Sequence, residues 1–166
     1  MSSINSRRSI RKYTTQQVTD EQVTELLRAA MSAPSAGNQQ PWRFVVIRSR
    51  ELLEQIPTFH PHASMTPQAS LIVAVCGDMT NLRIPERWVQ DCSAATENLL
   101  LAAHAQGLGA CWVGLHPGES LIKRVKELLS LPASFVPMAV VSLGQPGEQP
   151  APRTRYNAAH VRAEKW

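Results

Sequence analysis

The sequence predicts an α+β domain with α/β layering: a central mixed sheet of four or five strands flanked by helices, with an extended C-terminal arm. Three observations carry this. Four short apolar runs rich in β-branched residues have strand length, the stretches between them show helical periodicity or turn chemistry, and apolar residues thin out after Gly144. A chain of 166 residues suits one folding unit over residues 1–166, with residues 145–166 as the arm.

Taken in order, the first helix starts at Thr19. Gln22 completes a capping box, and Val18 with Val23 can form a hydrophobic staple. Val23, Leu26, Leu27, Ala30 and Met31 then share one face, and Pro34 ends the run. The first strand lies at residues 44–47, with a short helical stretch near 51–55. Residues 57–67 hold three prolines, which predicts a solvent-exposed loop carrying His60 and His62. These two histidines have no neighbouring carboxylate or cysteine, so no metal is expected.

The second strand is at residues 71–76, closed by Gly77 and Asp78. A long helix over residues 88–106 has small or apolar side chains on nearly every face. It must be buried all round, which in so small a domain points to packing on a second copy of the chain. Gly107 and Gly109 stop it and lead into a third strand at 110–114. Leu121, Ile122, Val125, Leu128 and Leu129 mark an amphipathic helix ended by Pro132, and a fourth strand follows at 136–143. Pro146, Pro150 and Pro152 keep the tail extended.

Composition narrows the classes. With 43% apolar and 18% charged residues the chain reads as an ordinary globular protein. Its longest apolar runs, at 71–76 and 99–103, fall far short of the ~20 residues that span a bilayer. The polar start MSSINSRRS has no apolar h-region, so a cytoplasmic address and no membrane partner are expected. Cys76, Cys92 and Cys111 are odd in number and set among apolar or small residues, which predicts buried reduced thiols.

The net charge of +4 gathers at the two chain ends, in the segment 7–12 and at Arg153, Arg155, Arg162 and Lys165. Such clusters suit a nucleic-acid arm, a solvated surface or two halves of one anion site, and charge alone leaves all three open. The basic stretch lacks interleaved aromatics, which argues against nucleic acid.

Two motifs carry chemistry. In SRRSIRKY, residues 6–13, Arg7, Arg8 and Arg11 with Ser9 offer the multi-donor forks that suit a phosphate monoester. In APSAGNQQPWRF, residues 33–44, Ser35, Asn38, Gln39 and Gln40 offer uncharged donors and acceptors suited to a neutral heterocycle. Trp42 reads as the packing anchor of that loop. Together the motifs suggest a nucleotide-like cofactor. No strand is followed by GxGxxG or GxxxxGK[ST], so neither a dinucleotide fold nor a P-loop holds it.

RRSIRKY, APSAGNQQPWRF, the small-residue helix ending in GLGACWVG, and the LGQP turn followed by a tail with PRTR resemble, in this order, the flavin-dependent nitroreductase family. The resemblance spans nearly the whole chain. It implies a nitroreductase-like fold and a homodimer with FMN at the subunit interface, the arm packing on the partner subunit. It implies that Arg7, Arg8 and Ser9 hold the FMN phosphate and ribityl chain, with Arg11 near the N1/O2 edge. It implies further that Pro34, Ser35, Ala36 and Asn38 are contributed by the partner subunit, that Trp112, Val113 and Gly114 line the ring near N5, and that Arg153 and Arg155 form a second phosphate grip.

The implied activity is an FMN-dependent NAD(P)H oxidoreductase, with NADH or NADPH as reductant and ping-pong hydride transfer through flavin N5 to a small-molecule acceptor such as a nitroaromatic or quinone. No catalytic side chain is expected, which agrees with the absence of a Ser/His/Asp, Cys/His or paired-carboxylate constellation. Alternatives are a non-catalytic FMN-storage or sensing protein and a specialised branch such as a reductive dehalogenase. Larger members carry extra segments where this chain is short, which implies an open site and leaves Gln68 as a candidate for the flavin's pyrimidine edge.

Overall fold

A computed structural model describes residues 2–151 and 153–166. Pro152, one of the tail prolines, lies outside the described residues. The first element is a short helix, α1 (Ser2–Ser6), which the polar start does not announce. Helix α2 (Asp20–Met31) opens with the expected capping box: the Gln22 N–H donates to Thr19 Oγ1 at 3.2 Å, and the Thr19 N–H donates to Gln22 Oε1 at 3.0 Å. Val23, Leu26 and Ala30 are buried, but Met31, the last residue of the helix, is exposed.

Strand β1 (Trp42–Ile47) begins two residues earlier than its apolar run, since the buried Trp42 anchors its start. Helix α3 (Arg50–Gln55), strand β2 (Leu71–Asp78), helix α4 (Trp88–Ala105), strand β3 (Gly109–Gly114), helix α5 (Glu119–Leu128) and strand β4 (Phe135–Gly144) follow.

The α+β class and the four strands agree with the sequence reading. The sheet order is β1-β2-β4-β3 and every ladder is antiparallel. Among the described residues the parallel component is one isolated bridge, Ser9 with Ala110. Because β2 and β3 are both antiparallel to β4, they run parallel to each other. They form a βαβ unit through α4 whose strands are split by β4.

The pleat sends alternate β2 residues to two cores. Leu71, Val73 and Val75 meet α2 and α4 on one face, whereas Ile72, Ala74 and Cys76 meet α3, α5 and the 60s loop on the other. Of α4, Gln90 and Ala105 are exposed, while Ala94 and Leu101 stay half-buried. The three cysteines are free and buried, and burial pushes the Cys76 and Cys92 thiols up to about 12.

The arm departs from the body after residue 148: every described residue from 149 to 166 is exposed, including Tyr156, Val161 and Trp166. Among the described residues no helix is long and apolar enough to cross a membrane.

Candidate functional site

The basic segment is laid along the outer edge of β3. The Ile10 N–H donates to the Ala110 carbonyl at 3.0 Å beside the Ser9–Ala110 bridge. Ile10 is buried against Gly109, where an added Cβ would come within 2.7 Å of Ile10 Cγ2, so the close approach requires glycine. Farther along, the Tyr13 hydroxyl donates to the Ile10 carbonyl at 2.7 Å and contacts Ser142 Oγ at 2.7 Å. Burial holds that hydroxyl well above the usual tyrosine range.

The turn after β4 runs antiparallel to this segment. Thr14 N–H donates to the Gln145 carbonyl at 2.9 Å and Gly147 N–H to the Lys12 carbonyl at 2.8 Å. One Glu148 carboxylate oxygen accepts from the N–H groups of Arg11 at 2.6 Å and Lys12 at 3.1 Å.

These contacts shape a cavity of about 680 Å³, within the range of small-molecule sites. Arg8, Ser9, Arg11 and Lys12 line it from the N-terminal segment, Arg153 and Arg155 from the arm, and Ser64, Met65 and Gln68 from the 60s loop. Five cations face one carboxylate, Glu148, which makes the cavity an anion site. Arg153 and Arg155 of the C-terminal cluster thus lie beside the N-terminal one, whereas Arg162 and Lys165 do not line this cavity. A neighbouring cavity of about 760 Å³ shares Arg8, Glu148 and Pro150 but is otherwise lined by residues such as Ile10, Leu108, His104 and those of the turn, without clustered cations.

Arg8, which lines the cavity, also ties the chain ends. Its guanidinium donates to the carbonyls of Asn5 (3.0 Å), Arg7 (2.6 Å), Ala151 (3.2 Å) and Arg153 (3.4 Å), tying the two chain ends together. Arg7 does not line the cavity. Its Nε lies 3.2 Å from Glu97 Oε1 on α4, close enough for an ion pair but not aligned as a hydrogen bond. Besides Arg8, the predicted residues that the fold brings to this cavity are Ser9, Arg11, Arg153 and Arg155.

Of GACWVG, Val113 is buried in the core on the α5 side and Trp112 packs half-buried against the α2/α4 core. Their side chains are thus engaged within the chain. What the edge offers is backbone: Ala110 turns its carbonyl outward to Ile10, and alternation along an antiparallel strand turns the polar groups of Trp112 and Gly114 outward as well. Gly114 is exposed, and an added Cβ there would meet nothing within 4 Å.

Beside it stands His60, which the proline-rich sequence assigns to a solvent-exposed loop and the structure buries to 4% exposure. The loop folds back over β3, and a ring nitrogen, Nε2, lies 2.9 Å from the Gly114 carbonyl. His62 is exposed as expected. Among the described residues no group of three His, Cys, Asp or Glu side chains is placed to hold a metal ion.

The amide loop lies apart: none of Pro34, Ser35, Ala36 and Asn38 lines the cationic cavity of the same chain. Gly37 (φ 54°), Asn38 (φ 53°) and Gln40 (φ 46°) take left-handed backbone, which glycine and asparagine tolerate best. The residue that holds this shape is Asp91 in the first turn of α4, buried to 5% exposure. Its carboxylate accepts from the Ala36 N–H at 2.9 Å and from Gln39 Nε2 at 2.7 Å. Gln39 also clamps Ile84 through both ends of its amide, at 3.1 Å each. Gln39 is therefore a structural amide, and the loop's outward groups are those of Pro34, Gly37, Asn38 and Gln40, all exposed.

Sequence reasoning passed over Asp91. The available signal was an acid at a buried helical position, since Trp88, Asp91, Cys92, Ala95 and Leu99 fall on one face.

Comparison with known proteins gives the family and the fold. The sequence profile of the Nitroreductase family matches residues 4–70 and 61–145. A protein of Methanothermobacter thermautotrophicus, provisionally named an NADH dehydrogenase/NAD(P)H nitroreductase, is 43% identical over 166 residues, covering 100% of this chain and 87% of its own. Among solved structures, a provisionally named NADH oxidase of Clostridium acetobutylicum is 41% identical with a TM-score of 0.95 and 99% of each chain covered. A provisionally named nitroreductase of Desulfovibrio desulfuricans, solved in complex with FMN, is 33% identical with a TM-score of 0.85, covering 99% of this chain and 96% of that one. With a family profile spanning most of its length and relatives this similar along the whole chain, the protein belongs to the nitroreductase family.

Proposed function

We propose that this protein is an FMN-dependent NAD(P)H oxidoreductase, a cytoplasmic homodimer that binds FMN between its subunits and passes electrons by a ping-pong cycle to a nitroaromatic, quinone or similar acceptor. The observation that carries this reading is the convergence of Ser9, Arg11, Arg153 and Arg155 on one cavity beside the open edge of β3. The residues fit the group. A flavin phosphate is a dianion that five cations more than neutralise, and a planar ring needs the side-chain-free space that Gly114 leaves.

Bound there, FMN supplies the redox chemistry, taking a hydride at N5 from NADH or NADPH and giving two electrons to the acceptor. The chain's own residues bind and orient. Arg153, Arg155 and Ser9 hold the phosphate end, and Arg11 adds a positive field that favours negative charge on the ring. The Asp91-braced loop with Pro34, Ser35, Ala36 and Asn38 reaches the partner's flavin, because it does not reach its own cavity. The exposed Tyr156, Val161 and Trp166 of the arm, with half-buried Ala94 and Leu101 of α4, are covered by the second subunit.

The test is the visible spectrum of the purified protein with added FMN, followed by anaerobic titration with NADH and NADPH. Yellow protein that bleaches with at least one donor is expected. Colourless protein refutes the flavin site, and yellow protein that neither donor bleaches points instead to a storage or sensing role.

A further inference from the structure

The buried His60 has no part in the cavity lining, yet it links the loop that forms one wall of the cationic cavity to the exposed end of β3. On one side its Nε2 meets the Gly114 carbonyl at the exposed end of β3 at 2.9 Å. On the other, its Nδ1 meets the His62 N–H at 3.2 Å, and its carbonyl accepts from the Ala63 N–H at 3.2 Å. These contacts open the turn that carries Ser64, Met65 and Gln68, which line the cationic cavity. A backbone N–H only donates and a carbonyl only accepts, so both ring contacts are satisfied together by the neutral tautomer with its proton on Nε2.

Gly114 has open space where a side chain would be and ends an edge strand, and the peptide that follows it is held at both ends: the Leu115 N–H donates to the Met138 carbonyl at 2.9 Å, and His60 meets the Gly114 carbonyl. We propose that His60 is a positioning residue for the flavin: it fixes the Gly114 peptide against the ring and sets the spacing between the β3 edge and the 64–68 wall. This inference rests on the flavin reading above.

Two variants separate this role from simple loop support. His60→Asn keeps an acceptor near the Nδ1 position for the His62 N–H but is too short to reach Gly114. His60→Gln places an amide donor near the Nε2 position and keeps the reach. Both are measured for FMN affinity, for the visible spectrum of bound FMN, for the rate of anaerobic reduction by NAD(P)H, and for amide hydrogen exchange of residues 112–116 in flavin-free protein.

His60→Asn is expected to bind FMN within about threefold of wild type, because the phosphate grip is untouched, while the reduction rate falls about tenfold or more, the flavin band shifts and exchange at 112–116 quickens. His60→Gln is expected to restore all three. Unchanged spectrum, rate and exchange in His60→Asn overturn the proposal, and so does a loss in both variants alike, which would mark a loop-stabilising histidine. Wild-type protein that binds no FMN overturns the flavin reading itself and this inference with it, an outcome distinct from yellow protein whose Asn variant behaves normally.

Discussion

Replacement of Asp91 by alanine tests whether one buried carboxylate shapes the amide loop. The substitution removes acceptors at 2.9 Å from the Ala36 N–H and 2.7 Å from Gln39 Nε2. Hydrogen bonds to a charged acceptor contribute about 1.5–3 kcal/mol each. Ala36 and Gln39 are half-buried, so water can partly reclaim both donors and the lower end applies, giving a loss of about 3 kcal/mol. For a chain of this size that lowers Tm by about 6–12 °C. Asp91→Asn keeps one carbonyl acceptor and should lose about half as much.

The assay is urea unfolding of flavin-free protein at fixed concentration, paired with limited proteolysis at residues 36–40. An Asp91→Ala protein within about 0.5 kcal/mol of wild type, with the loop equally resistant to protease, would refute the reasoning.

Three further outcomes follow from other contacts. Arg155→Ala should weaken FMN binding about 10- to 100-fold by equilibrium titration, while riboflavin, which lacks the phosphate, should change far less; equal losses for both would contradict a phosphate role. Gly77→Ala should cost about 1–3 kcal/mol in chemical unfolding, because its Cβ would lie 2.4 Å from Trp88 Cε3 and that ring is held edge-on to His116 at 5.1 Å.

Native protein should leave Cys76 and Cys92 unlabelled by a thiol reagent at neutral pH, and unfolded protein should expose them. Their thiols are raised from 9.0 to about 12, so the unfolded chain releases protons first and stability should fall as pH rises from about 9 towards 12. Flat stability across that window would contradict raised thiols in the folded chain.

What was legible in the sequence is what depends on neighbours along the chain. Thr19 and Gln22 announce the start of α2, and the β-branched runs locate β2 and β4 to within a residue or two. Gly107 (φ 73°) sits where α4 must end. The partners of isolated polar side chains were not legible, because they are fixed by packing between distant segments. His60 meets a carbonyl 54 residues away, and Asp91 meets a loop 55 residues away.

The basic motif shows the same division. Its charge pattern pointed to an anion site, but only the fold separates Arg11, which faces the cavity, from Arg7, which turns to Glu97, and Arg8, which ties the chain ends. The sheet's direction was hidden for a related reason. The β2-α4-β3 pattern is that of a parallel unit, and nothing local reveals that β4 slips between its strands.

The tie between the chain ends also orders events in time. Residues 8–14 find their partners at Ala110, Gln145 and Ala151, so this segment waits on the ribosome-bound chain without a place to dock until most of the protein has been made. The cationic cavity is therefore the last part to assemble. Any flavin it takes up must arrive after synthesis has passed Arg155, and the ligand can stabilise the finished fold but cannot template its first steps.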